Sequence, residues 1–170
     1  MPKCTLRPSA DTVQLRRATH ADIPPMRRLE HKTETAAHWS AAQYGALFDP
    51  AAPIRIALVA TEEVATEVSD LSTIDGFLIA RCLPDEWEIE NVIVDDQHRQ
   101  RGFGTALVRE LLAQARTGGV SSVILEVRES NLPAQRLYES IGFKAESRRN
   151  GYYQGPTEDA LLYRIRIAVL

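Results

Sequence analysis

Apolar and polar residues alternate through Val13-Gln14-Leu15-Arg16-Arg17, the two-residue period of a half-buried strand. The period then lengthens. Ile23, Met26 and Leu29 recur at helical spacing behind Asp22, a candidate N-cap, with Pro24 suited to a first turn. Ser40 opens a second short helix over Ala41–Leu47, which Asp49-Pro50 stops. Ile54–Ala60 and Thr73–Leu83 read as strands on either side of the acidic segment Thr61–Ser72, and Trp87–Val94 reads as the next strand. Beyond a glycine-spaced turn, Leu107, Val108, Leu111, Leu112 and Ala115 share one helical face, with Arg109, Glu110 and Gln114 opposite. That helix ends near Gly118-Gly119, and the continuous apolar run Val120–Val127 suits a covered parallel strand. Asn131 and Pro133 start a helix through Ile141 with Gly142 as its left-handed stop, and Phe143–Arg149 and Ala160–Ile167 close the chain as paired strands.

These elements predict an α/β fold with a mixed central sheet of about seven strands and flanking helices. With 170 residues, 44% of them hydrophobic, the chain can bury a proper core, so residues 13–170 are expected to form a single domain behind a loose polar tail, 1–12. A net charge of −3 gives no general affinity for polyanions, and no nucleic-acid partner is expected. No apolar run reaches membrane-spanning length and no signal-like segment follows Met1-Pro2-Lys3-Cys4-Thr5, so a cytoplasmic protein without a membrane partner is expected. Cys4 and Cys82 make neither a disulfide framework nor a metal knuckle, and His20, His31, His38 and His98 lack zinc-ligand spacing, so no metal is expected. The run from Glu62 to Asp70 reads as a solvated loop or as an attractor of basic substrates.

The chemistry concentrates in the segment from Asn91 to Leu107. An apolar strand, Val92-Ile93-Val94, feeds the basic turn Arg99-Gln100-Arg101-Gly102-Phe103-Gly104-Thr105, which opens a helix. Glycines allow a tight bend, and the free N–H groups of the helix's first turn add to its dipole, making an anion cradle. No Gly-Lys pair follows, which excludes a Walker loop. The dinucleotide fingerprint fails as well, because Leu107 stands where a third small residue belongs.

Arg99-x-x-Gly102-x-Gly104 resembles the coenzyme A pyrophosphate loop of the GCN5-related N-acetyltransferase (GNAT) superfamily, and Leu125–Asn131 and Leu137–Phe143 follow in that superfamily's order and spacing. The resemblance runs from Asn91 to Arg166 and is most like the ribosomal-protein-alanine N-acetyltransferases, which modify N-terminal α-amino groups. It implies a sheet splayed between strands 4 and 5 and acetyl-CoA as co-substrate. Backbone of Val92, Ile93 and Val94 would hold the pantetheine arm, residues Arg99 to Thr105 the pyrophosphate, and Asn131 and Tyr138 would complete the coenzyme site. It also implies a monomer or homodimer.

Acetyl transfer to an amine needs a neutral nucleophile, donors for the oxyanion and stabilisation of the departing thiolate. An α-amino group of pKa near 8 is roughly 10% neutral at pH 7, so modest base assistance suffices. Glu126 interrupts an apolar run, where burial would raise a carboxyl's proton affinity; it is the base candidate, the alternative being a strand-end carboxylate paired with Arg128. By resemblance, Glu126 falls on the subgroup's assigned base and Tyr138 on the tyrosine facing the coenzyme sulfur; without it, Tyr138 reads as a packed aromatic. Glu90, and after it Glu88, compete as bases from the preceding strand. Asn131 suits both a helix cap and a bond to the coenzyme arm. His38-Trp39-Ser40 and Asn150-Gly151-Tyr152-Tyr153 resemble substrate-cleft segments, with Trp39, Tyr152 and Tyr153 as acceptor contacts; Gly151 is an insertion relative to that pattern, and the tyrosines read equally as exposed hairpin aromatics. The readings are therefore an acetyltransferase for a protein or peptide N-terminus, one for a small amine or amino acid, and a non-catalytic acyl-CoA-binding module.

Overall fold

A computed structural model describes residues 13–33, 36–62 and 73–168. The 1–12 tail and the acidic run beyond Glu62 lie outside the described residues. The elements are β1 (Val13–Arg17), α1 (Ile23–His31), α2 (Ala41–Gly45), β2 (Arg55–Glu62), β3 (Gly76–Cys82), β4 (Glu86–Val94), α3 (Phe103–Thr117), β5 (Ser122–Arg128), α4 (Leu132–Ile141), β6 (Lys144–Tyr153) and β7 (Glu158–Arg166). Seven strands form one sheet in the order β1-β2-β3-β4-β5-β7-β6, antiparallel except for the β4–β5 pair.

The expected elements are all present, and their bounds move for local reasons. α2 stops at Gly45 and passes into a 3-10 turn, Ala46–Phe48, because glycine is a poor helix former. β2 runs past Ala60 to Glu62, since Thr61 and Glu62 find partners in Gln14 and Val13 of β1. β6 extends to Tyr153 by pairing with β7 through two irregularities. Asp22, expected as the cap of α1, makes no cap bond there; its carboxylate instead accepts from Arg16 (2.8 and 2.7 Å) and from the Thr19 amide (2.7 Å).

Two cores sandwich the sheet. α3 and α4 cover one face, with Leu107, Leu111 and Tyr138 packed on Leu58, Leu78 and Leu125. α1 and α2 cover the other, with Met26, Leu29 and Tyr44 against Val59, Phe77 and Ile93. Each fully buried aliphatic side chain contributes about 1.5–3 kcal/mol.

Burial works against the Asp22 carboxylate, but the bonds from Arg16 and Thr19 outweigh it and hold the group below the usual range. Stability from a depressed carboxyl is complete above its unfolded-state value, about 3.9, and is lost as pH falls through the folded-state value. Asp22→Ala is therefore expected to cost about 2 kcal/mol at neutral pH, with the gap from the parent shrinking below about pH 4 in thermal melts.

Candidate active site

The register between β4 and β5 runs from Glu86↔Ser122 to Ile89↔Leu125 and stops, although β4 continues to Val94 and β5 to Arg128. Beyond Ile89 the two strands diverge, and a cleft of about 370 Å³ opens between them. A bulge in β4 shapes its wall. Asn91 sits opposite Ile79 and Ile89 opposite Ala80, so Glu90 is the extra residue. The alternation of β4 changes phase there: Trp87 and Ile89 before it, and Val92 and Val94 after it, pack on the α3 side, while Ile93 joins the α1 core.

The cleft brings together residues from opposite faces of the sheet. Glu90, Asn91, Val92, Glu126, Arg128, Asn131, Tyr138 and Tyr153 all line it, with Thr33, Ala36, Ala37 and His38 as the outer wall. Glu126 projects to the α1 side, since its neighbours Leu125 and Val127 belong to the α3–α4 core. Tyr138 comes from α4 on the other side, 7% exposed, its ring edge-on to Phe143 at 5.8 Å. Burial, and then Tyr153, pushes the Tyr138 hydroxyl above the ordinary tyrosine range. Burial, and then the Glu126 carboxylate, pushes Tyr153 up to about 12.

Glu126 is not an isolated buried carboxylate, which corrects the sequence expectation. Arg149 Nη1 donates to its Oε1 at 2.5 Å, and the Arg149 guanidinium lies 4.8 Å from the Tyr152 ring centre. The proximity of Glu126 raises the Tyr152 hydroxyl as well. The partner is not Arg128, which pairs with Glu158 and lies 4.1 Å from the Tyr153 ring centre. Glu90 is gripped by Arg55 through bonds of 2.6 and 3.1 Å, and Glu88 is paired with Arg81. All three carboxylates thus have cationic partners, and only Glu90 and Glu126 line the cleft. Arg149 and Arg55 carried no local sequence signal, because their pairing is set by strand register.

Other expected contacts divide. Asn131 caps α4, accepting from Ala134 N at 3.2 Å, and also lines the cleft. Trp39 is 8% exposed in the α1 core, 5.7 Å from Tyr44, so its neighbour His38 forms the wall in its place. Tyr153 lines the cleft, whereas Tyr152 is 47% exposed at its rim.

At the C-terminal end of β4 the turn has the predicted shape. Gln100 (φ 58°) and Gly102 (φ 91°) are both left-handed, and the first turn of α3 follows. Arg99 pairs with Asp96 at 2.8 Å, and Arg101 pairs with Glu62, so each side chain has a carboxylate that an arriving anion must displace. Phe103 is buried at 1%, leaving its backbone to the turn. Gly104, in the same turn, also lies under α4: a Cβ there would stand 3.1 Å from Leu137 Cδ2, a tight approach. Gly102→Ala forces a side chain into left-handed backbone at about 1–2 kcal/mol, and is expected to weaken acetyl-CoA binding about 5–30-fold by calorimetry. Unchanged affinity would remove the pyrophosphate from this turn.

A parallel pair that parts over a cleft, with a basic helix-opening turn at its end, defines a coenzyme-binding α/β architecture. Residues 25–143 match the acetyltransferase (GNAT) family, and the chain belongs to it. It is 37% identical over 98 residues to the ribosomal protein bS18-alanine N-acetyltransferase of Escherichia coli (strain K12), a match covering 55% of this chain and 65% of that one. It is 43% identical over 86 residues to the N-alpha-acetyltransferase RimI of Mycobacterium tuberculosis, 51% of this chain and 52% of that one. The matches thus span less than two thirds of these relatives. The crystal structure of the ribosomal-protein-S18-alanine N-acetyltransferase from Escherichia coli superposes with a TM-score of 0.77 at 25% identity, over 93% of this chain and 96% of that one. Arabidopsis thaliana NAA60 in complex with a bisubstrate analogue shares the fold, with a TM-score of 0.81 at 19% identity over 94% of this chain and 100% of that one.

Proposed function

We propose that this chain transfers the acetyl group of acetyl-CoA to the N-terminal α-amino group of a protein or peptide, by direct attack in a ternary complex. The observation that carries this reading is the cleft, into which the splay admits Glu126 from one sheet face and Tyr138 from the other. The names of the relatives at 37% and 43% identity support the acceptor class.

The residues present fit the coenzyme. Once β5 turns away, the edge of β4 beyond Ile89 offers backbone groups to the pantetheine arm, and the left-handed turn with Arg99 and Arg101 suits the pyrophosphate. The thioester supplies the acyl group. Glu126, with Glu90 as the alternative, takes one proton of the acceptor ammonium; the freed lone pair forms the C–N bond, the C–S bond breaks with its electron pair leaving on sulfur, and the second proton departs from the acylated nitrogen to solvent, leaving a neutral amide. A β4 N–H polarises the carbonyl oxygen, and the Tyr138 hydroxyl donates a hydrogen bond to the departing thiolate. Full proton transfer from Tyr138 is uphill by about 2 kcal/mol on the free values, a tyrosine near 10 against a thiol near 8.5.

This reading takes residues 13–170 as one catalytic domain in the cytoplasm; among the described residues no helix is long and apolar enough to cross a membrane. The test is thiol release from acetyl-CoA with N-terminal peptides, free amino acids, polyamines and small amines. Turnover confined to peptides supports the proposal, turnover confined to small amines replaces the acceptor, and coenzyme binding without turnover makes the chain a binding module.

A further inference from the structure

Glu30 is a buried carboxylate that the proposed reaction does not use. It is 1% exposed on the inner face of α1, beside Met26, Leu29 and Tyr44. A carboxylate in such surroundings costs several kcal/mol unless hydrogen-bonded, and packing alone would favour an aliphatic residue. Its Oε1 accepts from two distant donors: the Trp39 backbone N–H at 3.1 Å and Asn91 Nδ2 at 3.0 Å. Trp39 N anchors the end of the segment that walls the cleft, and Asn91 lies in the β4 bulge. One oxygen therefore ties α1, the wall and the splayed strand together.

A second route joins the same parts. The Arg55 guanidinium lies 5.3 Å from the Trp39 ring centre and grips Glu90 with two hydrogen bonds. Between the anchored Trp39 and the helical end of α1, His38 adopts φ 47°, a left-handed conformation costing a non-glycine residue about 1–2 kcal/mol. The wall's start is held too: Thr33 N donates to Glu30 O at 2.9 Å and Thr33 Oγ1 to Leu29 O at 3.1 Å. Thr33 and Trp39, on either side of Ala36, Ala37 and His38, are thus both hydrogen-bonded to α1.

We infer that Glu30 is a positioning residue for the acceptor, latching the α1–α2 wall onto the β4 bulge so that the amine is held in line with Glu90 and Glu126. This rests on the transferase reading proposed above. The latch works from the α1 side of the cleft through the Asn91 side chain, whereas the pyrophosphate turn follows Val94, so its loss is expected to fall more on the acceptor than on the coenzyme.

The experiment compares the parent, Glu30→Leu and Glu30→Gln in thiol release with an N-terminal peptide, alongside backbone amide hydrogen exchange at residues 36–40. Glu30→Leu is expected to raise the KM for peptide about 10-fold or more while the KM for acetyl-CoA stays within about twofold, and to speed exchange in the wall. Glu30→Gln keeps an acceptor oxygen for both donors and is expected to behave like the parent. Asn91→Ala removes one donor and little core volume, and is expected to show the same split at smaller size, which keeps the test decisive if Glu30→Leu fails to fold. Equal losses for both substrates, or no rescue by Gln, would make Glu30 merely structural and overturn the inference. An inactive parent would instead overturn the transferase reading, and wall exchange unchanged in Glu30→Leu would sink the latch on its own.

Discussion

Tyr138→Phe is expected to lower kcat about 100- to 1,000-fold, the range seen when one donor to a developing anion is removed, while acetyl-CoA affinity stays within about threefold. The ring is retained, and with it the edge contact to Phe143 and the α4 packing, so the loss falls on the hydroxyl. Burial raises the Tyr138 hydroxyl above the ordinary tyrosine range. No alkaline fall in activity should therefore arise from its ionisation below about pH 10. Steady-state turnover with calorimetry on the same variant checks both halves. Unchanged turnover would return Tyr138 to the role of a core aromatic.

Glu126→Gln is expected to lower kcat/KM for the acceptor about 100- to 10,000-fold near neutral pH, the span of general base catalysis. The deficit should narrow as pH rises through the α-amino pKa of about 8, because the acceptor then arrives neutral. A rate profile across that pH range reads the effect directly. A pH-independent deficit would assign Glu126 to geometry instead of proton transfer, and no deficit would pass the role to Glu90. Arg149 bears on the same result. It must release or share the Glu126 carboxylate as the ammonium arrives, and at 57% side-chain exposure on an edge strand it has room to swing away.

Much of this was legible in the chain because the relevant signals are local. The alternation at Val13–Arg17, the apolar stripe of α3, the left-handed Gly142 stop and the tight glycine-bearing bend that opens α3 depend on near neighbours in sequence, and the structure has each of them. Glu126, Tyr138, Asn131, Glu90 and Tyr153 were named from sequence, and the fold brings all five to one cleft. At Trp39 and Gly104 the chain showed the residue type but not the neighbour, which is Tyr44 for the one and Leu137 for the other. A residue type shows that a site needs an aromatic or a small group, but which neighbour it meets depends on how a helix and a loop dock.

The sequence by itself therefore determined the elements, their order, the anion-binding turn and the residue types available for chemistry, since each follows from periodicity, capping and backbone allowance over a few residues. Tertiary structure alone decided the charge partners and how the wall is held. Arg149 meets Glu126 across 23 positions, Arg55 meets Glu90 across 35, and Asn91 meets Glu30 across 61. Pairing at such separations is set by strand register, by one bulge in β4 and by the packing of α1 on the sheet, and no local pattern in a single chain encodes any of them.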